Sequence, residues 1–388
     1  MGMDVTAGKG GRSEKMNDVL QAAEHFISHD ASVVGIEPYG HGIIHDTYLV
    51  KLSSGDDRFI LQRINQEVFA DPVLIMRNLR LVSHHVRQQQ QSAGSGVDAD
   101  WQMVYGLPAR DGRDYFIDAA GAFWRALSYV RGAVPLERIS SLAEAGEAGR
   151  ALGTFHRLVS TLKPEMLYET LPGFHDVGRY LARYDAARAG NRGNSEPERY
   201  CRQTIENRRS WAPVLENARR ENLLPVRVIH GDPKSNNIMI DRSTGRAVSI
   251  IDLDTVMPGL VQYDIGDCLR SSCNTLGEDA DDFAGIRFDL QRCAAVLTGY
   301  TEAAAGFLTG ADYDYFFDAV RFLSFELGLR FYTDFLQGNL YFKVSSRKQN
   351  LNRSVVQFKL LESIEAQEVG IRKIIAGCRM LIPGSSFA

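Results

Sequence analysis

The stretch from Val226 to Pro258 constrains the fold more strongly than any other part of the chain. It reads VRVIHGDPKSNNIMI from residue 226, then a Gly-containing turn at 241–246, then VSIIDLD from residue 248. Each apolar, β-branched run stops at a polar loop or at acids, which is the pattern of short buried strands. The sequence therefore predicts three buried strands here, with acidic side chains where they end.

Several side chains of this stretch have the spacing that phosphoryl transfer requires. Asp232 precedes Asn237 by five residues and Asp252 by twenty. A kinase loop needs one carboxylate to accept the proton of the attacking hydroxyl, and a carboxamide and a second carboxylate to hold magnesium against the nucleotide phosphates. Lys234 could offset charge on the transferred group. The pattern indicates Asp232 and Lys234 as catalytic residues, with Asn237 and Asp252 as magnesium ligands.

The same residues have an ordinary structural interpretation, because Asp and Asn in loops commonly cap turns. An Asp and an Asn at this spacing are a weak signal when they stand alone. Here the loop, its apolar strand flanks and the acid at Ile251-Asp252 occur together. That combination favours phosphoryl transfer.

The loop resembles that of the aminoglycoside phosphotransferase and choline kinase superfamily, which has His-Gly-Asp-x4-Asn followed by Ile-Asp. The closer resemblance is to bacterial N-acetylhexosamine 1-kinases. It is carried by PYGHGIIHDTY at 38–48, ILQRIN at 60–65, the catalytic stretch through Gly259, and ELGLRF at 326–331 with Asp334 and NLYF at 339–342. The catalytic stretch is specific for the superfamily, and the other segments separate the sugar kinases from their relatives.

Two packed lobes suit a chain of 388 residues. We expect an α+β, bilobal protein-kinase-like fold, with an antiparallel sheet and helices in the N-lobe and short catalytic strands in a mostly helical C-lobe. The predicted divisions are a flexible leader over 1–14, a nucleotide-binding N-lobe over 15–130, and a catalytic and sugar-binding C-lobe over 131–388.

Composition and charge argue against several classes of protein. Apolar residues make up 44% of the chain, enough for a full core, so a disordered protein is excluded. A net charge of −4 argues against a nucleic-acid surface, and no run approaches the roughly 18–20 apolar residues of a membrane span. Five Cys without a C-x-x-C pair, and no secretory signal pattern, indicate free thiols and a cytoplasmic protein. The oligomeric state stays open.

The predicted N-lobe has a Gly-containing turn between its first two strands. Gly40 and Gly42 would let backbone N–H groups approach phosphates, as a kinase glycine loop does, with Thr47 at the start of the next strand. An ordinary hairpin fits the same residues. An antiparallel sheet of about five strands is expected from the runs Val33–Glu37, Thr47–Leu52, Phe59–Ile64, Trp101–Leu107, Tyr115–Ile117 and Phe123–Val130.

One departure from the kinase pattern concerns the cation of the third strand. Kinases place a Lys there and pair it with a Glu on the next helix. This strand has Gln62 and Arg63, and the helix predicted over 71–88 contains no Glu. Either Arg63 or another cation replaces the Lys, or the glycine loop and the metal hold the phosphates. The resembling sugar kinases also have Gln-Arg here, so this departure does not indicate a loss of activity, and Gln62 and Arg63 stay candidate nucleotide-binding residues.

Tyr129 and Val130 precede Arg131-Gly132 at the predicted boundary between the lobes. They form the expected hinge, whose backbone would hydrogen-bond adenine. A plain interdomain linker would occupy the same place.

The second lobe is predicted to be helical. The capping box SLAE at Ser141 opens a helix that carries His156, which we interpret as a structural histidine. Asp264 resembles the structural acid that braces the catalytic loop in the family.

Candidate acceptor-binding residues lie near the C-terminus. Arg330 and Asp334 are four apart, so they could form a surface ion pair, with the neighbouring aromatic residues in the core. The resemblance implies a role in function instead, because an Arg and a Tyr eleven apart bind the N-acetylhexosamine in the similar enzymes. That spacing selects Arg330 and Tyr341. Asp254 is expected to face the sugar or a second magnesium.

The sequence thus indicates a Mg²⁺- and ATP-dependent kinase that phosphorylates the anomeric hydroxyl of N-acetylhexosamines (GlcNAc or GalNAc). Two alternatives stay open. One is transfer to another small hydroxyl acceptor, such as an amino alcohol or an aminoglycoside, which predicts a pocket lined by several acids. The other is a nucleotide-binding pseudokinase, suggested by the missing Lys and Glu. Expected partners are ATP and a small sugar, with no nucleic acid and no membrane.

Overall fold

The computed structural model of the chain describes residues 10–40, 44–55, 57–93, 100–191, 193–304 and 306–380. These residues form an antiparallel sheet in the N-terminal part and a mostly helical C-terminal part, so the α+β prediction is confirmed. The chain divides into two compact units. The first consists of residues up to 80 with 104–131, and the second of 81–103 with everything from Gly132 onward.

The first unit is built on one antiparallel sheet. Its elements are α1 (Gly10–Glu24), β1 (Val33–Pro38), β2 (Asp46–Leu52), β3 (Arg58–Arg63), the first residues of α2 (Pro72–Ala93), β4 (Gly106–Leu107), β5 (Phe116–Ile117) and β6 (Phe123–Ser128). The strand order is β1-β2-β3-β6-β4, and β5 also pairs with β6. In the described residues the sheet thus has six strands, one in each of the six runs from which about five strands were expected.

The apolar periodicity of α1 places its buried face on the sheet. Val19 and Ala23 of α1, with Phe26 just after it, belong to the same buried cluster as Phe59 and Trp124 from β3 and β6. Burial of these side chains fixes the helix to the sheet.

Two predicted element boundaries were wrong. The flexible leader over 1–14 stays a prediction; α1 begins at Gly10 and ends at Glu24. Residues 1–9 lie outside the described residues. The strand expected at Trp101–Leu107 forms a ladder only at Gly106–Leu107, and α2 extends to Ala93 rather than Gln88. Trp101 and Met103 are buried instead by side-chain packing.

The second unit holds the catalytic stretch. Its elements are β7 (Ala133–Pro135), α3 (Leu142–Val159), α4 (Val177–Ala189), α5 (Glu196–Arg208), α6 (Val214–Arg220), β8 (Arg227–Ile229), β9 (Ile238–Asp241), β10 (Ala247–Ile250), β11 (Met257–Gly259), α7 (Val261–Cys273), α8 (Leu290–Ala303), α9 (Gly310–Asp314), α10 (Phe316–Leu336), α11 (Gln349–Ala366) and α12 (Glu368–Met380).

The three strands predicted around the catalytic loop are present, but they belong to two small sheets. β9 lies between β7 and β10, and β8 pairs with β11, all antiparallel. The predicted capping box at Ser141 opens α3. Glycines let the helices behind these strands approach closely, since a Cβ at Gly149 of α3 would lie 1.9 Å from the carbonyl oxygen of Val296 in α8.

The five cysteines are free and buried. Among the helices that the structure describes, none combines the length and the apolar character needed to cross a membrane.

Candidate active site

The loop between β8 and β9 carries the predicted catalytic residues, and Gly231 sets its path. Gly231 has a φ of 87°, and a Cβ there would come within 2.6 Å of the carbonyl oxygen of Thr255. The hydroxyl of Thr255 also donates to the carbonyl oxygen of His230 at 2.9 Å. A residue other than glycine would be strained and would push the loop away from this contact.

Asp264 of α7 anchors the loop through hydrogen bonds to its backbone. Its carboxylate accepts hydrogen bonds from the backbone N–H groups of His230 at 2.6 Å and Gly231 at 2.8 Å. His156 lies 2.7 Å from the same carboxylate, and its other ring nitrogen lies 3.0 Å from the hydroxyl of Tyr300. Both nitrogens of His156 therefore have partners, as expected of a structural histidine.

The charge on Asp264 is stabilised despite complete burial. Burial would raise the pKa of this carboxyl, but the hydrogen bond and charge of His156, together with the hydrogen bond from the backbone N–H of His230, outweigh burial and lower the pKa below its ordinary value. An ionised carboxylate with several N–H donors is a rigid anchor for the loop.

Asp232, Lys234 and Asn237 lie together at the turn of the loop. Lys234 Nζ donates to Asp232 Oδ2 at 2.6 Å, and both side chains are 31% exposed, so solvent and ligands can reach them. Asn237 Nδ2 donates to the backbone oxygen of Asp232 at 2.8 Å. Burial would lower the pKa of Lys234, but the charges of Asp232 and Asp252 raise it above its ordinary value, so Lys234 is a cation.

The two predicted magnesium ligands are linked through the backbone. The N–H of Ile251 donates to the carbonyl oxygen of Asn237 at 2.8 Å, which places Asp252 next to the catalytic loop. Asp252 has a φ of 66° and is exposed, so it turns out of the strand path after β10. Such left-handed conformations are uncommon for residues other than glycine and occur often at functional sites.

This pair fits a magnesium ion that is bound together with a nucleotide. The described residues contain no cluster of three or more His, Cys, Asp or Glu side chains suited to a metal. Magnesium needs only one or two protein ligands when phosphate oxygens and water fill its other positions. A carboxylate from Asp252 and a carboxamide oxygen from Asn237 would supply that number.

Asp254 differs from Asp252 in its surroundings. Asp254 is only 3% exposed, and its backbone oxygen accepts a hydrogen bond from the hydroxyl of Thr170 at 2.6 Å. Its burial sets it apart from the exposed carboxylate at Asp252. Its contact with sugar or metal stays a prediction.

Arg330 of α10 lies inside a cage of aromatic rings. Its guanidinium carbon is 5.2 to 5.7 Å from the ring centres of Phe174, Tyr180, Tyr341 and Phe342. Burial would lower the pKa of the guanidinium. Four neighbouring groups outweigh burial and raise the pKa above its ordinary value: Tyr180, Tyr341, Glu326 and Asp232. The charges of Arg330 and Asp232 therefore influence each other, and the predicted Arg330–Tyr341 pair is in contact.

The alternative of a surface ion pair between Arg330 and Asp334 is wrong. Arg330 pairs with Glu326 at 3.6 Å, and both side chains are largely buried. Asp334 instead accepts backbone N–H groups from Leu340, Tyr341 and Phe342 at 2.8 to 3.0 Å. It therefore fixes the segment that places the Tyr341 ring against Arg330.

The predicted nucleotide-binding residues belong to the first unit. Gly40 has a φ of 72° in the turn after β1, and a Cβ there would meet no atom within 4 Å. The backbone oxygen of Thr47 accepts a hydrogen bond from Tyr39 at 2.9 Å. Gly42 lies outside the described residues. In the predicted hinge, Val130 is 6% exposed, and the guanidinium of Arg58 lies 5.4 Å from the Tyr129 ring centre.

Gln62 and Arg63 lie on opposite faces of β3, because side chains alternate along a strand. Gln62 Nε2 donates to the hydroxyl of Thr47 at 3.1 Å, while its oxygen accepts two hydrogen bonds from Arg125 of β6 at 2.9 and 2.7 Å. Arg125 is 1% exposed. The face with Gln62 thus carries a cation from the neighbouring strand, whereas Arg63 is exposed on the other face.

Some of these residues were missed by the sequence analysis. Arg125 could not be found by spacing, because its partner lies on another strand. Glu326 is part of the ELGLRF segment that was noted without a role. Phe174 and His175 lie in an irregular loop that gave no periodic signal, and Tyr180 lies in α4, but its contact with Arg330 could not be predicted from spacing.

The fold and the loop together define a kinase-like class of protein, with an acid, a lysine and a carboxamide held on one braced turn. The chain belongs to the phosphotransferase enzyme family (APH), which matches residues 35–305. The superfamily resemblance is thereby confirmed, and the protein is a phosphotransferase.

Solved structures similar to this chain include three small-molecule kinases. A microcompartment-associated aminopropanol kinase is 18% identical, with a TM-score of 0.59 over 92% of this chain and 98% of that one. An aminoglycoside phosphotransferase from Alicyclobacillus acidocaldarius is 12% identical, with a TM-score of 0.56 over 93% and 95%. A choline kinase from Cryptosporidium parvum is 9% identical, with a TM-score of 0.56 over 94% and 99%. At such identities the similarity confirms the kinase-like fold and carries no information on the acceptor.

Proposed function

We propose that this phosphotransferase uses ATP to phosphorylate the anomeric hydroxyl of N-acetylhexosamines, yielding the sugar 1-phosphate. The observation that carries the proposal is the buried guanidinium of Arg330, caged by aromatic rings and within electrostatic reach of Asp232. Aromatic faces and N–H donors suit a polar, uncharged ring such as a sugar.

In the proposed reaction, Asp232 orients the anomeric hydroxyl and accepts its proton. An anomeric hydroxyl is more acidic than an ordinary alcohol, so a carboxylate is a sufficient base. Lys234, now 2.6 Å from Asp232, offsets charge that develops on the transferred phosphoryl group. Asn237 and Asp252 would hold magnesium, which neutralises charge on the nucleotide phosphates when it is bound.

Arg125 is our candidate for the cation that replaces the third-strand Lys. It contacts Gln62, which stands where kinases carry that Lys, and it lies on the same face of the sheet as Gln62. Gly40, Gly42 and Thr47 would contribute to the same nucleotide site. Tyr129 and Val130 would contact adenine.

The test is an ADP-release assay on purified protein with Mg-ATP and either GlcNAc or GalNAc. We expect ADP formation that requires the sugar, and NMR of the product should locate phosphate on the anomeric oxygen. Asp232→Asn should reduce the rate by roughly 10²–10⁴-fold. Turnover only with amino alcohols or aminoglycosides, or none with any acceptor, would contradict the proposal.

A further inference from the structure

The guanidinium of Arg330 donates no hydrogen bond to any residue that the structure describes. The nearest carboxylate oxygen, on Glu326, is 3.6 Å from Nη1, which is beyond hydrogen-bond range. A guanidinium carries five N–H donors in a fixed planar arrangement. Since 15% of the Arg330 side chain is exposed, these donors can reach a bound molecule.

Glu326 is held rigidly beside that cation. It is 1% exposed, and its two carboxylate oxygens lie 3.1 and 3.2 Å from Nδ1 of His175. The His175 ring is itself stacked on Tyr263, with ring centres 4.4 Å apart. The His175 backbone has a φ of 62°, a conformation that persists in non-glycine residues only when the surroundings enforce it. These contacts hold the carboxylate of Glu326 beside Arg330.

The fixed carboxylate changes what Arg330 can attract. An isolated buried guanidinium would draw a carboxylate ligand strongly, because charges interact strongly where water is excluded. With Glu326 beside it, the negative charge already present cancels most of that attraction. The N–H donors remain available to hydroxyl and amide oxygens, which carry no net charge.

We propose that Glu326 determines the charge selectivity of the acceptor pocket, making Arg330 bind neutral hydroxyl compounds in preference to acidic ones. His175 is a positioning residue in this scheme, since it acts through Glu326. The inference rests on the proposed function, because it places the acceptor at Arg330. The new element is that the carboxylate of Glu326 disfavours binding of sugar acids.

The experiment compares glucose with glucuronic acid, which differs from it by a carboxylate at C6. Dissociation constants are measured by ligand-observed NMR on the full chain with Mg-ADP, for the unaltered protein and for Glu326→Gln. The substitution should favour glucuronic acid over glucose by about fivefold or more. Glu326→Asp, which keeps the charge, should leave the preference near that of the unaltered protein. A preference that changes by less than about twofold in Glu326→Gln would overturn the inference.

A second variant decides the matter if Glu326→Gln does not fold. In Arg330→Gln the carboxylate of Glu326 stands alone, so glucuronic acid should lose affinity relative to glucose; an unchanged ratio would overturn the inference. Binding of neither sugar to the unaltered protein would also overturn it. These measurements need no turnover, so they separate failure of this inference from failure of the proposed reaction, which the ADP assay reports.

Discussion

The carboxylate of Asp334 accepts a hydrogen bond from the backbone N–H of Tyr341 at 2.8 Å. The same carboxylate binds the N–H groups of Leu340 and Phe342 and the side chain of Asn350. One buried acid therefore satisfies three consecutive donors of an irregular segment. This holds the Tyr341 ring 5.7 Å from the guanidinium of Arg330.

Replacing Asp334 should disturb both stability and acceptor binding. Asp334→Asn removes the charge that these donors face, so we expect a loss of roughly 2–4 kcal/mol in the free energy of unfolding. The KM for the acceptor should rise while the KM for ATP stays unchanged. Chemical denaturation and steady-state kinetics measure the two effects.

Asp314→Asn is the matched control for that change. Asp314 is 61% exposed on its side chain and pairs with Arg379 at 2.9 Å. Exposed ion pairs contribute less than about 1 kcal/mol, so this variant should behave like the unaltered protein. If both variants lost the same free energy of unfolding, the buried hydrogen bonds of Asp334 would contribute no more to stability than the exposed ion pair of Asp314.

The cation of the nucleotide site can be tested by comparing Arg125 with Arg63. Arg125→Met removes the guanidinium bound to Gln62, and the KM for ATP should rise by about tenfold or more, since a charge-assisted hydrogen bond contributes about 1.5–3 kcal/mol. Arg125→Lys should recover part of the loss. Arg63→Met, on the opposite face, should change the KM for ATP by less than about threefold. A larger effect of Arg63→Met would restore Arg63 as the phosphate-binding residue.

Asp252 offers a way to separate metal binding from backbone strain. Asp252→Asn weakens a magnesium ligand but tolerates the φ of 66°. It should therefore fold normally, turn over slowly and need higher Mg²⁺ for half-maximal ADP release. Asp252→Ala should in addition lose about 1–2 kcal/mol of stability, because alanine disfavours this conformation.

Asn222→Ala provides the control for strain alone. Asn222 has a φ of 57° and is exposed, and no catalytic role is assigned to it. It should lose stability by a similar amount and keep its dependence on Mg²⁺. Unchanged Mg²⁺ dependence in Asp252→Asn would exclude Asp252 as a ligand.

Local patterns in the sequence predicted much of what positions the site. The apolar runs that flank the catalytic loop and the capping box at Ser141 both depend on interactions within a few residues. Such interactions are readable from spacing. For the same reason the α+β class followed from the order of strands and helices.

Partners distant in sequence could not be predicted in this way. Arg330 has an acid four residues away on each side, Glu326 and Asp334, and spacing alone cannot tell which one pairs with it. Tertiary packing decides, because His175 holds Glu326 while the segment after α10 occupies Asp334. The contact between Gln62 and Arg125 likewise depends on strand register, which is set by the sheet as a whole.

His230 makes stability dependent on pH near neutrality. Its side chain is fully buried, and one ring nitrogen lies 3.0 Å from the carbonyl oxygen of Ile251 while the other accepts the N–H of Asp232 at 3.3 Å. Both contacts suit the neutral imidazole. Burial lowers the pKa of His230 below its ordinary value, against the opposing charges of Asp264 and Asp232.

The sign of the pH effect follows from that lowered pKa. As pH falls below about 6.5, His230 becomes protonated in the unfolded chain but stays neutral in the folded chain. The free energy of unfolding therefore decreases, with a slope of up to about 1.4 kcal/mol per pH unit. We expect His230→Gln to lose this component when melting temperatures are compared from pH 8 to pH 5. His84→Gln, at an exposed position on α2, should keep it. The same slope in all three proteins would mean that His230 is protonated in the folded state.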